Sequence, residues 1–137
     1  MTDFPVTVFH NPACGTSRNV LAMVEAAGYR PEVVEYLKTG WDADQLRGLF
    51  AEAGLTPREA LREKEARAAA PELLETGAGD AAILAAMAEH PVLVQRPIVK
   101  TPKGAALCRP SERVFDLLER TPEGFVKEDG EVVKARD

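Results

Sequence analysis

A strand, a polar turn and an amphipathic helix follow one another near the start of the chain, and this order constrains the fold more than any other feature. Residues 6–9 are apolar and typical of a β-strand. Positions 20, 21, 24 and 27 form one apolar helical face, and Gly28 is placed to end that helix in a left-handed conformation. The turn between these elements contains Cys14. We therefore predict that Cys14 lies at or just before the first helical turn.

A cysteine at the start of a helix is expected to be reactive. Free N–H groups and the helix dipole favour negative charge there, and such thiols titrate at about 3.5–7.5 instead of roughly 8.5. His10 would add positive charge if it were protonated and close, and the hydroxyls of Thr16 and Ser17 can donate hydrogen bonds to the sulfur. We therefore predict a nucleophilic Cys14 thiolate whose ionisation is promoted by His10, Thr16 and Ser17.

Length, charge and cysteine content narrow the class of protein. The 137 residues fit one domain with its own core, and neither a membrane span nor a signal peptide is visible. Two cysteines are too few for a disulfide framework, which favours a reducing cytosol. The net charge of −5 argues against nucleic acid as a partner, and two scattered cysteines and two histidines indicate no metal site. We expect a cytoplasmic monomer that binds neither membrane nor nucleic acid.

The middle of the chain continues an α/β pattern. A second strand predicted at residues 32–37 would complete a parallel β-α-β unit. Asp42, Thr56 and Asp80 are predicted helix N-caps within a helical insertion of about residues 42–90. Residues 92–94 are predicted to form a short buried strand.

The C-terminal third predicts a hairpin and a helix. The hairpin turns at residues 101–104, and an amphipathic helix opens at residues 110–112. Residues 121–137 form a charged tail whose end we predict to fray, with Phe125 and Val126 as anchors.

This layout predicts a single domain, residues 1–137, with an α/β thioredoxin-like fold whose mixed four-stranded sheet is flanked by helices. In that fold a cis proline usually faces the helix-capping cysteine. Pro97 is our candidate for that structural role.

Three segments resemble those of the glutaredoxin-coupled arsenate reductases of the ArsC type. They are His-Asn-Pro-Ala-Cys-Gly-Thr-Ser-Arg-Asn at 10–19, Arg-Pro-Ile-Val at 96–99 and Leu-Cys-Arg-Pro-Ser-Glu at 107–112, and the similarity runs from about residue 6 to about residue 131. The resemblance implies that Cys14 attacks arsenate and forms a covalent thiol–arsenate adduct. Glutathione, as co-substrate, then joins the adduct, arsenite leaves, and glutaredoxin reduces the cysteine–glutathione disulfide; no bound cofactor is implied.

The same resemblance implies an arginine trio that binds the oxyanion: Arg62, Arg96 and Arg109. Arg58 remains a competitor for the place of Arg62. A thiolate and an arsenate dianion repel each other, and guanidinium groups supply fixed charge and paired donors that suit a tetrahedral oxyanion. His10 and Ser17 match family positions that help to keep the thiol ionised.

Two other cysteine chemistries are excluded by single positions. A phosphatase-type loop needs arginine at position 20, which is Val20, and a dithiol motif needs cysteine at position 17, which is Ser17. Both absences indicate an external thiol as reductant, and we expect Cys108 to be a small buried residue rather than a resolving thiol.

Two alternative functions remain open on the same fold. One is a glutathione-dependent thiol reductase without arsenate activity. The other is a non-enzymatic transcription regulator that contacts RNA polymerase, although that branch tends to carry a two-cysteine switch that this chain lacks at position 17.

Overall fold

The computed structural model describes residues 4–75 and 77–134 and divides the chain into two compact units. The first unit runs to Glu35 and resumes at Arg96, and the second is Tyr36–Gln95. The helices and strands in chain order are β1 (Thr7–Phe9), α1 (Gly15–Ala26), β2 (Glu32–Val34), α2 (Tyr36–Thr39), α3 (Ala43–Ala53), α4 (Pro57–Ala60), α5 (Glu63–Ala69), α6 (Asp80–Glu89), β3 (Ile98–Thr101), β4 (Gly104–Leu107), β5 (Gly124–Val126) and β6 (Val132–Lys134). Short 3-10 helices lie at Pro71–Leu74, Pro91–Leu93 and Ser111–Leu117. Among the described residues, no helix is long and apolar enough to span a bilayer.

The first unit is built on a four-stranded sheet with the order β2-β1-β3-β4. β1 pairs in parallel with β2 and antiparallel with β3, and β3 pairs antiparallel with β4. Val8 and Val99 are register partners at the centre of the sheet and are fully buried, as are Val20 and Val24 on the apolar face of α1, whereas Leu21 on that face is partly buried. This mixed sheet confirms the predicted thioredoxin-like fold.

The register of the sheet brings distant segments to one edge. Phe9 pairs with Ile98, and Ile98 pairs with Leu107. The chain therefore leaves β1 towards the Cys14 turn at the same edge where it enters β3 and leaves β4. Cys108 N–H donates to the Pro97 carbonyl at 2.9 Å, which extends the hairpin pairing beyond its last regular pair.

The predicted end of α1 and the predicted last helix are both present. Gly28 has a φ of 95°, the left-handed conformation that favours glycine. Ser111–Leu117 is a 3-10 helix rather than an α-helix, but it presents the predicted apolar face. The buried apolar side chains of this helix are Val114, Phe115 and Leu117, and Leu118, directly after the helix, is buried too.

Local capping signals in the second unit were predicted correctly with one exception. The Asp42 side chain accepts from Gln45 N–H at 2.8 Å, and Thr56 forms a capping box with Glu59. The N-cap of α6 is Gly79, and Asp80 is the first helical residue, so the predicted cap was wrong by one position. An acidic side chain in the first turn still interacts favourably with the helix dipole.

Two predicted strand segments were wrong. Tyr36 and Leu37 lie in α2 instead of extending β2, and the Tyr36 ring stacks on Trp41 with centroids 5.1 Å apart. Residues 91–93 form a 3-10 helix, and only Val94 makes a single bridge, to Leu61. A short apolar run does not distinguish a strand from a buried helical turn, and Pro91 suits the first position of such a turn.

The predicted charged tail contains a β-hairpin, β5–β6. Phe125 packs against the core of the first unit, as predicted, whereas Val126 is 62% exposed and is no anchor. The fraying predicted for the end of the chain concerns positions 135–137, which lie outside the described residues.

Candidate active site

The turn after β1 holds Cys14 at the N-cap of α1, as predicted. Asn11 shapes this turn: its Oδ1 accepts from Ala13 N–H at 2.9 Å and its carbonyl accepts from Cys14 N–H at 3.0 Å. Asn11 is buried, and this role was not predicted from the sequence. The signal was available, since asparagine before proline favours a turn of this kind.

The Cys14 thiol is half-buried and its pKa lies below its ordinary value. Burial raises the pKa, but the Ser17 N–H, the Arg96 guanidinium and the Thr16 N–H together outweigh this effect. The side chain makes no capping hydrogen bond of ordinary geometry. This fits a neutral thiol, which is a weak acceptor, while the nearby N–H groups favour the thiolate once it forms.

The Ser17 hydroxyl is used within the turn rather than on the sulfur. It accepts from Asn11 N–H at 3.0 Å and lies 2.6 Å from His10 Nδ1. This geometry is satisfied when the hydroxyl donates to Nδ1 of a neutral imidazole whose ring proton is on Nε2. For Ser17, the expected donation from the hydroxyl to the sulfur is therefore replaced by donation from the N–H groups of Thr16 and Ser17.

His10 does not supply the positive charge that was considered from the sequence. It is buried, and this burial lowers its pKa; the charge of Glu35 acts in the opposite direction but does not restore the ordinary value. His10 is therefore mainly neutral at pH 7. Its contact with Ser17 makes it a residue that supports the turn.

Arg96 supplies the positive charge beside the sulfur. Arg96 is only 9% exposed, and its Nε and Nη1 atoms are buried without a hydrogen-bond partner. Buried donors are normally satisfied, and leaving a charged group unpaired is costly. A bound anion would satisfy these two donors, and a guanidinium offers them in the paired geometry that oxyanions accept.

Arg109 lies beside Arg96. Its Nη1 donates to the Arg96 carbonyl at 3.0 Å, so two of the three arginines predicted from separate segments are brought together. The Arg96–Pro97 peptide bond is cis, as predicted, and the Arg109–Pro110 bond is cis as well.

Arg62 and Arg58 belong to the second unit and differ in how their guanidinium groups are bound. Arg58 donates to three backbone carbonyls, at 3.2 Å, 3.3 Å and 2.9 Å, of Leu73, Glu75 and Ala78. Arg62 makes one long ion pair, with its Nε 3.4 Å from Glu65. The contacts of Arg58 are those of a structural residue of the second unit, and the assignment of the third arginine stays a prediction.

Cys108 is fully buried, and burial raises its pKa to about 12. It therefore remains a protonated thiol at neutral pH and is a poor nucleophile. Within residues 4–75 and 77–134, no cluster of three or more histidine, cysteine or carboxylate side chains could hold a metal ion.

Replacing Cys108 by serine is expected to leave catalytic turnover within about twofold of the parent, because its protonated thiol takes no part in thiol exchange. Alkylation of the native parent protein should modify one thiol per chain rapidly, and this thiol should be Cys14. Peptide mapping after brief iodoacetamide treatment measures this directly. Loss of turnover with an unchanged unfolding midpoint would contradict the prediction.

A four-stranded mixed sheet, a free cysteine at the N-cap of the first helix and a cis proline before β3 define a thioredoxin-like thiol protein. Residues 9–117 match the ArsC family. The chain belongs to that family.

Named relatives match almost the whole chain. The chain is 60% identical over 134 residues to arsenate reductase ArsI1 of Synechocystis sp., covering 97% of this chain and 93% of that protein. It is 43% identical over 129 residues to the arsenate reductase of Escherichia coli strain K12, covering 93% of this chain and 92% of that protein. The solved structure of an arsenate reductase from Vibrio cholerae has a TM-score of 0.80 and 38% identity, and covers 85% of this chain and 100% of that one.

Proposed function

We propose that the protein is an arsenate reductase that converts arsenate to arsenite, with Cys14 as nucleophile and with glutathione and glutaredoxin as reductants. The observation that carries the proposal is the buried Arg96 guanidinium. Its Nε and Nη1 atoms have no hydrogen-bond partner, and its positive charge favours the Cys14 thiolate. Relatives that are 43% and 60% identical carry the name arsenate reductase, which supports arsenate as the oxyanion.

In the first step, Arg96 and Arg109 bind the arsenate oxygens and offset the repulsion between the dianion and the thiolate. The Cys14 sulfur attacks arsenic, an S–As bond forms, and an As–O bond breaks. A proton taken up from solvent allows the departing oxygen to leave as water. Arsenic remains pentavalent at this stage, so the step needs no electron donor.

In the second step, the glutathione thiol supplies the reduction. A disulfide forms between Cys14 and glutathione, the S–As bond breaks, and its electron pair reduces arsenic to the trivalent state, which leaves as arsenite. A thiol of glutaredoxin then takes the glutathione and releases the Cys14 thiolate. An external thiol is needed because Cys108, the other cysteine of the chain, is buried and protonated. This dependence suits a reducing cytosol, in which we propose the enzyme works.

The test is arsenite formation from arsenate in the presence of glutathione and glutaredoxin, for the parent and for Cys14→Ser. We expect steady arsenite release from the parent and none above background from the variant, because a serine hydroxyl is not ionised at neutral pH. Cys108→Ser is the matched control, since it removes the other thiol. A parent that forms no arsenite would refute the proposal, and reduction of a glutathione mixed disulfide by that same parent would favour the thiol reductase.

Arg62→Gln and Arg58→Gln should separate the two candidates for the third arginine. We expect Arg62→Gln to lower kcat/KM for arsenate by about 10²–10³-fold, the usual cost of removing one oxyanion donor. Arg58→Gln should instead lower the free energy of unfolding by about 0.5–1.5 kcal/mol, because three carbonyls lose their donor. The reverse pattern would assign the third arginine to Arg58.

A further inference from the structure

Arg18 forms a three-way bridge that neither the fold nor the proposed chemistry requires. Its Nε and Nη2 donate to the two carboxylate oxygens of Glu128, at 2.8 Å and 2.9 Å, and its Nη1 donates to the Pro12 carbonyl at 2.8 Å. We refer to Arg18, Glu128 and the Pro12 carbonyl as the Arg18 bridge. It connects the Cys14 turn to a segment 110 residues away in the sequence.

The far end of the bridge is itself held in place. Glu128 N–H donates to Asn19 Oδ1 at 3.0 Å, so the segment is bound to α1 through two side chains. Lys127, the preceding residue, has a side chain only 9% exposed and pairs with Glu112 at 2.8 Å. The β5–β6 hairpin therefore provides a fixed support rather than a loose tail.

The near end of the bridge acts on the backbone that carries the sulfur. The Pro12 carbonyl lies two residues before Cys14, and Asn11 already fixes the turn on its other side through Ala13 N–H. The bridge also passes close to Gly15, where an added Cβ would lie 3.7 Å from both Arg18 Nη2 and a Glu128 oxygen. The turn and the first helical residues are thus held between Asn11 and the Arg18 bridge.

We propose that Arg18 and Glu128 are positioning residues for Cys14: by fixing the Pro12 carbonyl to the β5–β6 hairpin, they keep the sulfur aligned with the Thr16 and Ser17 N–H groups. The bidentate ion pair makes Arg18 and Glu128 nearly neutral as a unit. Their effect on the sulfur therefore comes from geometry more than from charge. The bridge acts on the ionisation of the thiol, whichever substrate the thiol attacks.

The charged and titratable groups around the sulfur are few among the described residues. Arg96 faces it from the segment before β3, and Arg18 acts on it from α1 with Glu128 behind it. His10 faces Ser17 and is influenced by Glu35. The Arg18 bridge can therefore be altered while Arg96 and His10 remain unchanged.

Arg18→Gln and Glu128→Gln distinguish positioning from charge. The readout is the pH at which iodoacetamide alkylation of Cys14 reaches half its maximal rate. If the bridge positions the turn, both variants should move this pH upward by at least about 0.5 unit, since both break the same bridge. If only charge matters, Arg18→Gln should raise it and Glu128→Gln, which leaves Arg18 without its counter-charge, should lower it. Opposite shifts, or no shift in either variant, would overturn the proposal.

Two further variants complete the experiment. Arg18→Lys keeps the charge but loses the forked contacts, so we expect it to behave like Arg18→Gln; full recovery of the parent value would count against positioning. Arg47→Gln is the matched control, because Arg47 forms an exposed ion pair with Asp44 on α3 and should leave the alkylation profile unchanged. Unfolding midpoints should stay close to that of the parent, since the side chains of Arg18 and Glu128 are 44% and 49% exposed.

Discussion

Arg96→Gln is expected to lower kcat/KM for arsenate by about 10²–10³-fold, the effect typical of losing one preorganised oxyanion donor. The structure gives two reasons for a large loss. The Nε and Nη1 donors that would hold the oxyanion disappear, and the guanidinium that lowers the pKa of Cys14 is removed. Steady-state arsenite release measures the first effect, and the pH profile of Cys14 alkylation measures the second.

Arg96→Lys separates charge from geometry at the same position. Lysine keeps one positive charge but lacks the paired N–H donors, so we expect the alkylation profile to recover more than arsenate turnover does. Glutamine at this site also leaves no buried unpaired charge, and the variant should fold at least as stably as the parent. Turnover by Arg96→Gln within threefold of the parent would remove the foundation of the oxyanion site.

Ser17→Ala is expected to lower the free energy of unfolding by about 1–3 kcal/mol, because the buried Asn11 N–H loses its acceptor. It is also expected to raise the pKa of Cys14, because the turn that aligns the Thr16 and Ser17 N–H groups with the sulfur loses its hydrogen bonds to the hydroxyl. The sign of the pH effect follows from the thiolate. Raising the pKa of Cys14 lowers the reactive fraction at pH 6–7. Above the ordinary pKa of cysteine, variant and parent should alkylate at similar rates. Alkylation rates across this range, together with urea unfolding, measure both effects.

Thr16→Ala is the matched control for Ser17→Ala. It removes a hydroxyl from the adjacent residue but keeps the N–H group that faces the sulfur, so its alkylation profile should match that of the parent. A larger shift in Thr16→Ala than in Ser17→Ala would restore the idea of direct hydroxyl donation.

Because folding lowers the pKa of Cys14, the ionised thiol stabilises the fold above the ordinary cysteine pKa, and this contribution is lost as the pH falls through the folded-state value.

The sequence was sufficient to predict features that depend on interactions between residues close together in the chain. Asp42 and Thr56 are N-caps because a short oxygen-bearing side chain meets the free N–H groups one turn on, and Gly28 adopts a conformation that other residues avoid. The position of Cys14 at the start of α1 followed from the same kind of signal. The parallel pairing of β1 with β2 and the antiparallel β3–β4 hairpin followed from joining neighbouring elements by short connections, whereas the pairing of β1 with β3 is visible only in the structure.

The sequence was insufficient to predict features that depend on packing and contacts visible only in the folded chain. Tyr36 leaves the predicted strand for α2, where it stacks on Trp41. Residues 16 and 17 each offer a hydroxyl and an N–H, and only the folded turn shows that the N–H groups face the sulfur. The neutral state of His10 depends on its burial, and the partner of Arg18 lies 110 residues away, beyond any local pattern.

The β3–β4 hairpin also sets the spacing between Arg96, which acts on the thiol, and Arg109, which contacts Arg96. Arg96 and Arg109 each stand two positions outside the pair Ile98–Leu107, and the tight link at residues 101–104 sets that symmetry. A slip of one residue in the pairing of β3 with β4 would shift Arg109 relative to Arg96 and break the hydrogen bond from Arg109 Nη1 to the Arg96 carbonyl. A change in the length of this surface turn would thus alter the arginine pair that we propose binds the oxyanion.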